Sequence, residues 1–216
     1  MTTSVYIDGF NLYNGSLRKT QYKWLNILAM CETLLPGRQI NRIRYFTARV
    51  IAFSHDLQAP ARQDTYLRAL KTLPNLVVHE DGWFASHPVN LPRYPLNYPS
   101  PNGPPEFVRV LRMEEKRTDV DLATHLLVDS FSGAFDEAVV ISNDSDLVLP
   151  IQMVRSTMNK VVGVINPHPP NGMSGHLKRA ASYYLRTINK SVLASSQFPP
   201  SLIDADGRTI TKPASW

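Results

Sequence analysis

The segment from residue 138 to residue 153 constrains the fold of this chain more than any other. A run of small and β-branched residues leads into Ser142, and four polar residues, Asn143 to Asp146, follow directly. Such a run predicts a strand that is buried on both faces, and the apolar residues after it recur at helical spacing. Asp144 and Asp146 therefore lie between a buried strand and a helix. In open α/β sheets this edge is where ligands bind.

The start of the chain repeats this order. The run Ser4 to Asp8 is β-branched and aromatic, ends in an acid, and is followed by a glycine and then Asn11. It predicts a first strand with Asp8 at its carboxyl end. Ser, Asn and Asp are also the preferred helix N-caps, and acids in a first turn are stabilised by the helix dipole. A purely structural role as caps is the competing interpretation of each of these acids.

A third acidic stretch covers residues 114–132. Thr118 is the predicted N-cap of a helix, which places Asp119 in its first turn. Asp121 lies about 200° round the helix from Asp119, so the two carboxylates do not form a pair. Asp119 is the one we assign to a site. The predicted buried stripe of this helix consists of Val120, Ala123, Leu127 and Phe131.

The rest of the chain alternates predicted strands and helices. Strands are expected at 40–53, 76–83, 107–113, 160–165 and 183–188, and helices at 24–35 and 60–73. Residues 85–105 are rich in proline, which excludes a helix or a central strand, and predict a long surface loop. We expect one domain over residues 1–190, with residues 191–216 as a tail packed on it or extending it.

Composition narrows the class of protein. The 216 residues suffice for one sizeable α/β domain, and no apolar run is long enough for a membrane span. Cys31 is the only cysteine and is expected in the core, which fits a reducing, cytoplasmic setting. His168 and His176 match no metal motif and are predicted to be surface residues. The net charge of +5 favours anionic partners, nucleic acid first.

The acids at the strand ends can act together. In a parallel sheet with right-handed crossovers, Asp8, Asp119, Asp144 and Asp146 can converge on one edge. Clustered carboxylates repel one another unless a cation lies among them, and ligands that are all oxygens suit Mg²⁺ or Mn²⁺. An acidic pocket in a basic protein is the charge distribution expected of a metal-dependent enzyme that acts on phosphodiesters.

Three blocks of the sequence resemble the signature blocks of the NYN domain, a branch of the PIN-like ribonuclease superfamily. They are VYIDGFNLYNG, EEKRTDVDLATHLLVDSF and AVVISNDSDLVLPIQMVR, and they stand in the family order. The resemblance implies a PIN-like three-layer sandwich whose central, mainly parallel sheet has the order 3-2-1-4-5. It also implies cleavage of single-stranded RNA that depends on Mg²⁺ or Mn²⁺. Many PIN-like proteins pair, so a homodimer is an open expectation.

The same resemblance assigns roles to residues. The acid of the first strand and the asparagine after it fall on Asp8 and Asn11. The central acid falls on Asp119, and the acids of the S-x-D-x-D block fall on Asp144 and Asp146. The four acids would be metal ligands, and all five residues would be catalytic.

Two further residues are candidates for substrate binding together with Asn11. Ser142 could hydrogen-bond an aspartate or the phosphate, and Lys116 could contact a phosphate. This chain has Lys116, Arg117 and Thr118 before Asp119, where many members have a K-G-x-D pattern. It also has His125 where some members carry a further aspartate.

Two other functions compete with the ribonuclease. A phosphatase of the haloacid dehalogenase type would carry its nucleophilic aspartate at the end of the first strand with a partner acid two residues on, but position 10 is Phe10. A non-catalytic module that binds RNA or protein on the same scaffold is the second alternative. Metal-dependent cleavage distinguishes the ribonuclease from this module.

Overall fold

The computed structural model describes all 216 residues and has a seven-stranded central sheet. The strands are β1 (Thr2–Asp8), β2 (Gln39–Ala48), β3 (Leu76–Pro92), β4 (Phe107–Lys116), β5 (Glu137–Ile141), β6 (Val161–Ile165) and β7 (Tyr183–Leu185). Their order is β4-β3-β2-β1-β5-β6-β7, and every neighbouring pair is parallel except β3 and β4. The predicted mainly parallel α/β fold is confirmed.

The strand order differs slightly from the predicted 3-2-1-4-5. Its five strands correspond to β3-β2-β1-β5-β6, and the structure adds one strand at each edge. β7 continues the parallel ladder beyond β6, whereas β4 folds back antiparallel on β3. The central position of β1 and β5 places their carboxyl ends side by side, where the chain continues from each into the polar residues noted above.

Helices cover both faces of the sheet. They are α1 (Gly9–Leu12), α2 (Ile27–Leu34), α3 (Ala59–Leu70), α4 (Thr118–Phe131), α5 (Val148–Gln152), α6 (Gly175–Ala180) and α7 (Lys190–Ser195). One core packs α1, α2, α3 and α7 on the sheet and contains Cys31; the other packs α4, α5 and α6. A short hairpin of β8 (Ser201–Ile203) and β9 (Thr209–Thr211) follows. None of the helices has the length and apolar character needed to cross a membrane.

The proline-rich segment is partly strand, which corrects the prediction of a loop over residues 85–105. β3 continues to Pro92 and pairs antiparallel from Trp83 to Pro92 with β4, so that only residues 93–106 form the connection. Proline is tolerated here because this half of β3 has a neighbour on one side only. A proline on an edge strand, which has no backbone N–H, therefore removes no hydrogen bond between strands.

The rotation of α4 about its axis also differs from the prediction. The helix buries Leu122, Leu126 and Asp129, whereas Val120 is 60% exposed and Phe131 is 85% exposed. Both faces of α4 carry apolar residues, so the periodicity alone did not decide between them. In the observed rotation, Asp129 forms an ion pair with Arg44 of β2.

Other boundaries shift by a few residues. β2 ends at Ala48, five residues before its predicted end, and α2 begins at Ile27 after the cap Asn26. Thr118 is the first residue of α4 and not its N-cap. The cap position is taken by Arg117, whose φ is +86°, because β4 runs on to Lys116 and leaves a one-residue left-handed turn.

Candidate active site

Asp8 lies at the centre of the carboxyl edge of the sheet. It ends β1 and caps α1, and its carboxylate accepts the backbone N–H of Asn11 at 2.9 Å and the hydroxyl of Ser142 at 3.1 Å. Burial raises the pKa of Asp8 to about 6, against the lowering effect of these two hydrogen bonds. The negative charges of Glu115 and Asp144 raise this pKa further. Asp8 is thus both a cap and the buried member of an acidic cluster.

The polar turn after β5 is attached to Asp8 through Ser142. The Ser142 hydroxyl donates to Asp8 and accepts the backbone N–H of Asp144 at 3.1 Å. Asp144 in turn caps the short 3₁₀ helix Ser145–Leu147 by accepting the backbone N–H of Asp146 at 3.0 Å. The side chain of Ser142 is therefore fixed by its neighbours and is fully buried.

Asn11 joins the site to the loop after β6. Its carbonyl oxygen accepts the backbone N–H of Asn143 at 3.0 Å and lies 3.0 Å from Nε2 of His168. Because the Asn143 N–H can only donate, the Asn11 atom is the oxygen, and His168 must carry its proton on Nε2. The Asn143 side chain accepts from Ser174 and donates to Gly172, which ties the same loop to the site.

His168 corrects the prediction of a surface histidine. It is half-buried and contacts Asn11. It follows the buried strand β6 at the same edge as the acids, and this position could have identified it from the sequence. His176 lies on α6, where its ring contacts Arg179 and not the acidic cluster.

Glu115 is a member of the cluster that the sequence analysis missed. It lies near the end of β4, and its carboxylate accepts both the backbone N–H and the hydroxyl of Thr118. The predicted strand stopped at Met113, three residues before β4 ends at Lys116. Had it continued, the alternation of side chains along a strand would have placed Glu115 and Lys116 on opposite faces.

The remaining candidates are placed less centrally. Asp119 is half-buried in the first turn of α4 and accepts the N–H of Val120 at 2.8 Å, and Asp146 is exposed. Neither is among the leading causes of the raised pKa of Asp8. Lys116 pairs with Glu114 at 2.6 Å, on the strand face opposite Glu115. Their roles remain predictions.

Asp121 behaves as a structural acid. Its carboxylate pairs with Nε of Arg117 at 3.0 Å, one helical turn away. This ion pair gives Asp121 a structural role, and Asp119 has no such ion pair. Asp119 can therefore be tested by substitution, with the same substitution of Asp121 in the same helix as the control.

The donor set fits a hard divalent cation. No three acidic, histidine or cysteine side chains form a ready-made metal cluster. Mg²⁺ usually keeps several waters and binds proteins through one or two carboxylates, so it does not require such a cluster. Asp8, Glu115 and Asp144 offer only oxygens, and the negative charges of Glu115 and Asp144 that act on Asp8 are what a cation would neutralise.

The mainly parallel α/β sheet is the fold of the nuclease-like PIN class, to which the NYN family belongs. The chain belongs to the NYN domain family, whose family model matches residues 2–193. This confirms the resemblance recognised in the three sequence blocks, and it covers nearly the whole chain.

Two known proteins are similar to the chain. The 6-hydroxy-3-succinoylpyridine 3-monooxygenase HspA of Pseudomonas putida is 32% identical over all of this chain and 75% of its own length. The crystal structure of VPA0982 from Vibrio parahaemolyticus, a protein of unknown function, has a TM-score of 0.52 and 15% identity. It covers 88% of this chain and 93% of its own. The similarity to VPA0982 concerns the fold alone.

Proposed function

We propose that this protein is a metal-dependent ribonuclease that hydrolyses phosphodiester bonds of single-stranded RNA. The observation that carries the proposal is the buried Asp8, whose pKa is raised by burial and by the neighbouring Glu115 and Asp144, in a chain of the NYN family. A carboxyl group held in this way is a typical mark of a functional site. The positive net charge of the chain suits a polyanionic substrate.

The residues of the edge have distinct roles in this proposal. Asp8 and Asp144 would hold Mg²⁺ or Mn²⁺, with Asp119 and Asp146 as further ligands directly or through water, and Glu115 beside them. The bound ion would neutralise charge on the phosphate and activate water. Asn11 and Ser142 keep Asp8 oriented, and each could also contact the substrate.

His168 supports Asn11 in this arrangement. Its Nε2 proton is directed at the Asn11 oxygen, which also accepts from Asn143, so the amide cannot rotate without losing two hydrogen bonds. Orientation of this kind matters because small displacements of catalytic groups cost large factors in rate. His168 is a positioning residue in this proposal.

Cleavage of a labelled single-stranded RNA tests the proposal. We expect cutting by the wild type with Mn²⁺ or Mg²⁺, none with EDTA, and a loss of about 100-fold or more in Asp144→Asn and Asp119→Asn. Asp121→Asn is the matched control and should retain activity, because Asp121 pairs with Arg117. Melting temperatures should be nearly unchanged or raised in the Asp144→Asn variant.

Two results would contradict the ribonuclease. Full activity in Asp144→Asn with a large fall in melting temperature would make these acids structural caps. RNA binding without metal-dependent cleavage would favour the non-catalytic module.

A second candidate comes from the relative HspA. Its name describes a monooxygenase that acts on a pyridine carrying a succinoyl group, and the identity extends over all of this chain. The corresponding test incubates this protein with 6-hydroxy-3-succinoylpyridine, O₂ and a reduced nicotinamide and measures consumption of the pyridine. Turnover there, without RNA cleavage, would favour this function over the ribonuclease.

A further inference from the structure

A cavity of about 430 Å³ lies next to the acidic edge, near the end of β2 and between α1 and α3. Ligand sites in proteins commonly have volumes of about 300–1,000 Å³. Seven of the residues that line it are aromatic: Phe10, Tyr13, Tyr45, Phe53, Tyr66, Phe84 and Trp216. The acids of the candidate active site do not line it, so it is a separate feature of the same edge.

The aromatic walls are held in place by contacts with other rings. Phe10 and Phe84 meet edge to face with centroids 5.3 Å apart. Trp216 packs on Trp24 at 6.3 Å and on Tyr66 at 5.8 Å. Fixed aromatic walls around a space of this size are suited to a planar aromatic ring, which gains from stacked and edge-to-face contacts.

Polar groups without partners also border the cavity. Tyr45 is only 6% exposed, yet its hydroxyl has no hydrogen bond within the protein. The hydroxyl oxygen keeps some accessible surface, since it is not one of the fully buried polar atoms that lack a partner, and it can donate to a ligand in the cavity. The Tyr45 hydroxyl keeps its proton at neutral pH, as tyrosine ordinarily does, and burial and the nearby charge of Asp8 raise its pKa further.

The charged residues of the lining leave two positive charges unbalanced. Arg62 forms an ion pair with Asp56, and both line the cavity. Arg18 and Lys23 also line it and take part in none of the ion pairs of the protein. The cavity therefore combines an aromatic interior with cations that can bind an anion.

The cavity and the acidic edge are connected through Gly9 and Tyr45. Gly9 follows Asp8 directly and lines the cavity. A Cβ at this position would lie 2.7 Å from the Tyr45 ring and from the Phe46 carbonyl oxygen, so glycine allows the close approach of α1 to β2. A ligand in the cavity would therefore lie beside the residue that carries the central carboxylate.

We propose that this cavity binds the base of a nucleotide next to the scissile phosphate, with Arg18 and Lys23 binding the adjoining phosphates. The identity of the ligand as part of an RNA strand rests on the proposed ribonuclease function. A base within a strand has a phosphate on each side, which matches two free cations better than the single carboxylate of a free aromatic acid does. Stacking of bases on aromatic side chains is a common mode of binding single strands.

Titration with adenosine 5′-monophosphate in EDTA tests the assignment, with tryptophan fluorescence as the signal because Trp216 lines the cavity. We expect Phe53→Ala and Arg18→Gln each to weaken binding about five-fold or more. Phe131→Ala and Lys19→Gln are the matched controls and should bind as the wild type does. Phe53 and Phe131 are both exposed, at 40% and 85%, so neither change removes core packing.

A second titration separates the possible outcomes. Nicotinate, a pyridine carboxylate without ribose or phosphate, is titrated in parallel. Binding of nicotinate but not of the nucleotide would overturn the assignment in favour of a site for free aromatic acids. Absence of binding of either at millimolar concentrations, or equal binding by all variants, would also overturn it.

The Asp144→Asn variant separates this inference from the ribonuclease itself. We expect it to bind the nucleotide like the wild type while cutting no RNA. If the wild type binds the nucleotide in the cavity but cuts no RNA, the result supports nucleotide binding in the cavity and contradicts the ribonuclease function. If the wild type cuts RNA and the Phe53→Ala and Arg18→Gln variants bind and cut equally well, the cavity assignment alone fails.

Discussion

Replacing Asp8 by asparagine should abolish RNA cleavage and at the same time stabilise the metal-free protein. The variant loses the central carboxylate of the candidate site, so we expect activity to fall by about 100-fold or more. Stability should rise because the buried carboxylate is costly to ionise, as its raised pKa of about 6 indicates. An asparagine can still accept from Asn11 and donate to Ser142, so the hydrogen bonds at this position can be kept.

The gain in stability should depend on pH in a defined window. The folded pKa of Asp8 is about 6 and its ordinary value is 3.8, so folded Asp8 keeps its proton where the unfolded chain has lost it. The stability that Asp8 contributes is fully present below about pH 4 and is lost as the pH rises through 6. The Asp8→Asn advantage should therefore be largest above pH 6, on the order of 1–3 kcal/mol, and vanish below about pH 4.

Urea unfolding in EDTA at pH 8 and at pH 4 measures this effect. Asp121→Asn is the control, since its partly exposed pair with Arg117 is expected to contribute less than about 1 kcal/mol. A loss of stability in Asp8→Asn at pH 8 would show that the carboxylate serves as an indispensable helix cap and would count against the acidic site.

Removing Asp129 should cause the largest loss of stability among the substitutions considered. Its carboxylate binds Arg44 through two hydrogen bonds, Nε at 2.8 Å and Nη2 at 3.0 Å, and accepts the Tyr6 hydroxyl at 2.8 Å. The side chains of Asp129 and Arg44 are 8% and 13% exposed. Asp129→Ala leaves the Arg44 charge buried without this partner, which costs about 3–5 kcal/mol.

Chemical unfolding of two further variants separates the pair from other effects. Asp121→Ala breaks a partly exposed pair on the same helix and should cost less than about 1 kcal/mol. The triple variant Tyr6→Phe, Arg44→Met and Asp129→Leu replaces all three polar groups and should recover most of the loss, since apolar replacements of buried ion pairs are often neutral. If Asp129→Ala costs no more than Asp121→Ala, the pair does not stabilise α4.

The sequence predicted the elements whose residues carry a local signal. The run Val139, Val140 and Ile141 predicts a strand buried on both faces, and Asp8 after Ile7 repeats the pattern at the neighbouring strand. Parallel pairing of two such strands brings their carboxyl ends together by geometry. The family and the mainly parallel fold followed from these blocks, and both are confirmed.

The sequence alone could not predict the rotation of α4 about its axis. Val120 and Phe131 are as apolar as Leu122 and Leu126, so the helical period alone allowed two buried stripes about 140° apart. Asp129 and Arg44 are 85 positions apart, and their contact is made on the side of α4 that is buried. A contact of this kind between distant residues has no local pattern.

What the sequence determined by itself is the buried strands, the acids at their carboxyl ends and the family. What only the tertiary structure decided is which side chains accompany Asp8. Glu115 comes from the edge strand β4, which folds back on β3, and His168 comes from the loop after β6; neither lies near Asp8 in the sequence. The reason is physical: strand pairing follows from local hydrophobic pattern, whereas the proximity of side chains from separate loops depends on how the whole chain packs.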